Sequence, residues 1–133
     1  TAEALREFVP HVVVTHPLHP RDNLALYRLC GALFACEPAA EALCARFAAA
    51  YDAAAAAGRA LPPEDVLYLI WKDPWMSVAP DTYISRTLAL VGWRTVPRNA
   101  SVRYPVVALD AATLGGVARV LLSTEPFMFR EEH

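Results

Sequence analysis

The chain has no excess of basic charge, no long apolar run and no glycine-rich phosphate loop, and each absence narrows what it can do. Its 133 residues carry 12 Lys and Arg against 14 Asp and Glu, a formal net charge of −2. That balance argues against a nucleic-acid partner, which needs a basic footprint. Nothing approaches the roughly 18–20 consecutive apolar residues that cross a bilayer. The opening Thr1-Ala-Glu-Ala-Leu-Arg-Glu7 lacks the basic start and apolar stretch of a secretory signal. There is no initiating Met, so a processed protein or a piece of a longer one is expected. Without a Gly-x-Ser-x-Gly elbow or clustered metal ligands, an enzymatic reading is weak.

Cysteine is scarce and odd in number: Cys30, Cys36 and Cys44. All three lie in a region read as helical. On one straight helix Cys30 and Cys44 would stand roughly 21 Å apart, far beyond disulfide geometry. They are expected to serve as small buried hydrophobes. His11, His16 and His19 invite a metal reading, but no carboxylate or thiolate cluster accompanies them.

Hydrophobic residues, largely alanine, make up 56% of the chain and charged residues 20%, a globular composition of single-domain size. Residues 9–15 include a β-branched run ended by His16-Pro-Leu-His-Pro20, which predicts a short buried strand. Asp22 or Asn23 can cap a helix to about Cys36, and Pro38 fits the first turn of a second, alanine-dominated helix that Gly58 should end. After Pro62-Pro63 comes a strand at 66–71, then a helix capped by Asp81 and stopped at Gly92. Asp110 should start a short helix that finishes near Gly115-Gly116, and residues 117–122 form the next strand. Strands separated by helices imply right-handed crossovers and a largely parallel sheet.

The most informative stretch is Leu69-Ile-Trp-Lys-Asp-Pro-Trp-Met-Ser77. A run rich in β-formers stops at a polar, proline-broken loop that carries two tryptophans. Ligands of open α/β sheets sit just beyond the carboxyl ends of strands, so this loop is a candidate binding surface.

That stretch, followed by Asp81-Thr-Tyr-Ile84, Leu88-Ala-Leu-Val-Gly92, Arg103-Tyr-Pro105 and Ser123-Thr-Glu-Pro-Phe127, resembles the vitamin B12-type periplasmic substrate-binding proteins of ABC importers. These helical-backbone metal receptors also include siderophore and haem binders. Two departures stand out: Gly92-Trp93 replaces the usual Gly-Gly, and the acidic stretch after Tyr-Pro is thinned to Val106-Val-Ala-Leu-Asp110. The resemblance implies an α/β fold with a long backbone helix and a partial C-terminal lobe, its mostly parallel sheet flanked by helices. Residues 1–20 would hold the last strand of the N-terminal lobe, 21–60 the interlobe helix region and 61–133 part of the C-terminal lobe. The chain thus reads as a fragment with about half of the ligand cleft, expected to bind weakly or not at all unless another chain completes the site.

By the same likeness, Trp75 and Tyr104 match aromatics that face the ligand, and Asp110 matches a carboxylate that docks on the membrane permease. Trp71 and Glu125 are further cleft candidates. Each has a plainer reading: Trp75 as satellite core, Trp71 as the buried end of a strand, Tyr104 as a surface anchor, Glu125 as a solvated loop acid and Asp110 as a helix cap. The implied function is binding without catalysis. The ligand would be cobalamin or a related metal chelate, with a ferric siderophore or haem as alternatives. The location would be periplasmic or otherwise extracytoplasmic, at the membrane only through the permease. No cofactor is expected, and an uncovered half-cleft favours self-association. A small α/β enzyme using Asp73, Glu125 or His16, or a non-catalytic protein-interaction domain, are the competing classes.

Overall fold

The computed structural model describes residues 2–130 and 132–133; Thr1 and Glu131 lie outside them. After a short helix, α1 (Ala2–Leu5), residues 9–17 enter no strand ladder. The strand expected at 9–15 is therefore corrected. Its β-branched residues favour an extended backbone, but no neighbouring strand pairs with it and Val13 and Val14 stay exposed.

Helices α2 (Asn23–Leu33) and α3 (Glu37–Gly58) follow. They pack antiparallel, with Arg28 paired to Glu41 at 2.7 Å and the Tyr27 ring edge-on to Phe47 at 5.9 Å. Gly31 lets the backbones approach, since a Cβ there would stand 2.5 Å from the Ala40 Cβ. The break between the helices falls at Ala35, whose φ of 50° is left-handed. The 22 residues of α3 span about 33 Å, which makes it the long helix of the fold. Gly58 does not end it by turning left-handed. It is the last helical residue, buried against the backbone of Leu90, where a Cβ would fall 1.8 Å from the carbonyl oxygen. Of the cysteines only Cys44 is buried; Cys30 is half-buried and Cys36 exposed, because the chain turns there.

The second half carries a wholly parallel three-stranded sheet: β1 (Glu64–Leu69), β2 (Trp93–Thr95) and β3 (Arg119–Leu122), ordered β2-β1-β3. Val66 stands opposite Thr95 on one side and Arg119 on the other. As the central strand, β1 is covered on both faces, so Val66, Leu67, Leu69 and Ile70 are all buried. This is the near-continuous apolar run that a parallel sheet demands. Leu67, Leu69 and Phe129 form the core, with Trp75, Val96, Leu109 and Phe127 packed around it.

Strand β2, where no element is expected from the sequence, is a three-residue edge. Helix α4 (Tyr83–Leu88) is capped by Thr82, not Asp81; the Thr82 hydroxyl accepts from the Ser85 amide. A 3-10 turn (Ala89–Val91) carries it to Gly92, whose φ of 79° makes the stop. Helix α5 (Ala111–Gly115) is capped by Asp110 as expected.

Candidate ligand-binding surface

The chain leaves β1 into a loop closed on itself: the Ile70 amide donates to the Met76 carbonyl at 2.9 Å, and the Met76 amide to that of Trp71 at 3.1 Å. The returning backbone then pairs with residues 103–107. Ser77 donates to the Pro105 carbonyl, Ala79 to that of Arg103 and Val107 to that of Trp75, each at 2.9 Å. Below this seam a buried hydroxyl cluster locks the path. Thr82 and Ser85 both donate to the Ala79 carbonyl, and Ser85 meets Thr95 at 2.7 Å. Buried hydroxyls hold a shape only when so satisfied. The loop from β1 and the Tyr104 segment are therefore fixed side by side.

Between them lies an apolar recess of about 300 Å³ lined by Ile70, Trp71, Met76, Ile84, Tyr104 and Pro126. Trp71 and Tyr104 are 40% and 46% exposed, large aromatic areas for a surface position. The Trp71 ring rests edge-on against Phe127, centroids 5.5 Å apart. Trp75 is turned inward: it stacks parallel on Phe129 at 6.0 Å and packs on the core, with the Lys72 ammonium 5.9 Å from its ring centroid. Of the sequence candidates, Trp71 and Tyr104 thus meet in one recess, and Trp75 lies beside the core. Glu125 is exposed and precedes the recess residue Pro126.

Asp110 stands apart, at the start of α5. Its carboxylate accepts from the Thr113 amide at 2.8 Å, and that hydrogen bond holds its pKa below the ordinary aspartate value. A larger hollow of about 380 Å³ beneath α5, bounded by Leu67, Val96, Val107 and Val117, has neither an aromatic nor a charged side chain on its walls. Thr113 supplies its one polar side chain.

Two residues near the recess were not selected for it from sequence. Arg103 lies with its guanidinium 5.7 Å from the Tyr104 ring centroid, and its Nη1 is 3.1 Å from Nε2 of His16. Its adjacency to Tyr104 was visible, but the approach of His16, 87 positions away, has no local signal.

No protein-family model and no curated protein sequence matches the chain. Solved structures do. The periplasmic vitamin B12 binding protein of Vibrio cholerae superposes with a TM-score of 0.80 at 13% identity, over 91% of this chain and 48% of that one. A possible iron-binding (periplasmic solute-binding) protein of Staphylococcus epidermidis matches at 0.71, 13% identity, over 92% and 48%. The periplasmic heme-binding protein of Roseiflexus, in apo form, matches at 0.67, 18% identity, over 77% and 41%. The fold is that of the periplasmic binding proteins. Within this periplasmic-binding fold the chain spans about half the length of the structures it matches. Among the described residues no helix is long and apolar enough to cross a membrane.

Proposed function

We propose that the chain is the substrate-binding component, or half of one, of an ABC importer, which captures a metal chelate of the cobalamin, haem or siderophore kind outside the cytoplasm. The reading rests on one juxtaposition. The aromatic recess of Trp71 and Tyr104 sits at the carboxyl end of β1, where the sheet of a periplasmic-binding fold presents its ligand surface. A corrin or porphyrin is a broad apolar disc, and aromatic faces bury such a disc at low entropic cost. The recess covers one side of it. The opposite wall would come from the lobe that residues 1–20 are proposed to complete, with residues 21–60 joining the lobes and 61–133 belonging to the second. A stiff α3 between them would limit closure. Trp75 and Glu125 would border the ligand, and Asp110, kept ionised by its cap, would offer its carboxylate to the permease. The role involves capture and delivery without bond chemistry.

Titration with cyanocobalamin, haem and a ferric siderophore, read by calorimetry, tests the reading. Weak binding to this chain and saturable binding of one of them to a longer chain containing it are expected, with Trp71→Ala weakening the latter by about 1–3 kcal/mol. Failure of all three to bind, both to this chain and to any longer chain containing it, would overturn the proposal.

A further inference from the structure

A second hollow lies toward the other end of the sheet from the recess. It encloses about 270 Å³ between α4 and the outer edge of β2. That edge runs beside the first residues of β1, since Trp93 stands opposite Glu64 and Thr95 opposite Val66. The buried Ser85 and Thr95 make its floor, and their hydroxyls already satisfy each other at 2.7 Å. Pro80, Ala89 and Trp93 supply apolar walls. Arg94 and Arg98 stand at the mouth, with side chains 47% and 46% exposed. The two guanidiniums converge on one atom. Arg94 Nε donates to Oδ1 of Asp65 at 2.9 Å, and Arg98 Nη2 donates to the same oxygen. Neither guanidinium has a second acid among the described residues. Glu64 is committed to Arg119 by two hydrogen bonds, and Asp81 borders a neighbouring hollow with Arg98 but forms no ion pair with it. Two cations on one carboxylate leave a positive charge unmatched, in a chain whose formal net charge is −2. Like charges held this close repel until an anion joins them.

From this arrangement we infer that the hollow is a second binding site, for a small monoanionic acid with an apolar ring or chain. The carboxylate takes the N–H groups that Arg94 and Arg98 leave free, because planar guanidinium donors suit planar oxyanions. One negative charge cancels the excess, whereas a dianion overshoots it. The apolar part lies against Trp93 and Pro80, where the walls shed water on contact. The site is independent of the aromatic recess and of its ligand: the two hollows share no lining residue.

Three probes test this on the 133-residue chain: benzoate, the neutral benzyl alcohol and inorganic phosphate. Binding is followed by NMR at the Trp93 and Trp71 indole N–H groups and at the Arg94 and Arg98 Nε–H groups. Benzoate should move Trp93 and both arginines saturably, and bind at least about 10-fold tighter than benzyl alcohol. Phosphate, which has no ring, should bind more weakly than benzoate and leave the Trp93 signal in place. Arg98→Gln should abolish the preference for the acid, and Trp93→Ala should weaken benzoate and benzyl alcohol alike. Should Arg98→Gln fail to fold, added salt supplies the second measurement, since it must erode binding of benzoate and not of the alcohol. Equal affinity for benzoate and benzyl alcohol, or a preference that survives Arg98→Gln, would overturn the site. Phosphate binding as tightly as benzoate would reject the apolar wall. A Trp71 response with Trp93 silent would put the probe in the recess and reject the hollow.

Discussion

The two halves of this chain are held together by opposite means. In the sheet half, the fully buried side chains include Val66, Leu67, Leu69 and Val78, branched residues that fill space between β1 and its covers. In the helical half the buried positions of α2 and α3 are Gly31, Ala40, Cys44 and Gly58, all small. There the backbones approach closely, Tyr27 and Phe47 are only half-buried, and Leu33 and Phe34 stay exposed. The helical half is thus a close-contact strut with little core of its own, and the sheet half is a packed body.

Truncation should expose that contrast most strongly. Leu67→Ala removes a fully buried side chain at the centre of the sheet half and should cost about 2–5 kcal/mol. Leu43→Ala, on the partly exposed flank of α3, should cost well under half as much. Urea unfolding of both variants measures the difference, and equal costs would erase the distinction between body and strut. Enlargement should show the reverse. Gly58→Ala drives a methyl into the Leu90 carbonyl, where backbone cannot swing aside, and should destabilise by about 1–3 kcal/mol. The same change at Gly115, which has nothing within 4 Å, should be neutral or gain up to about 1 kcal/mol from helix propensity. If Gly58→Ala proves harmless, α3 does not depend on close approach.

Sequence reasoning read the body better than the strut, for a physical reason. The buried run of β1, the left-handed stop at Gly92 and the cap at Asp110 are local patterns, and each stands where periodicity and capping rules put it. The expected cap at Asp81 moved one residue, to Thr82, because the Thr82 hydroxyl also joins the Ala79 and Ser85 cluster. That cluster depends on Thr95 from another strand. The 9–15 segment had strand composition but no partner, and pairing is not written in one segment. Gly58 looked like a terminator because glycine commonly is one; its use against Leu90 depends on a residue 32 positions on. The recess was half legible. Tyr104 stood out as an aromatic beside a proline. Trp71, the secondary candidate with a plainer reading as the buried end of a strand, is 40% exposed. The inward turn of Trp75, a leading candidate from sequence, is set by Phe129, and the pairing of Arg103 with His16 is a long-range contact with no sequence trace.

The smallest effect separates a local electrostatic device from both packing schemes. The carboxylate of Asp110 is favoured in the fold because the Thr113 amide donates to it, and its pKa is lowered accordingly. A lowered folded pKa means that the stabilisation is present above the ordinary value of 3.8 and disappears as pH falls through the folded one. An acid titration followed at the Thr113 amide should therefore show the first turn of α5 losing hydrogen-exchange protection below about pH 4, before β1 does. Asp110→Asn keeps an oxygen acceptor for that amide but cannot titrate, so its α5 protection should stay flat across the same range. Asp22, Asp65 and Glu41 also have lowered pKa values, so a global melt would mix their contributions, and only the local amide isolates Asp110. A Thr113 amide that shows the same acid response in Asp110→Asn would mean that α5 is secured by its packing over the sheet rather than by its cap.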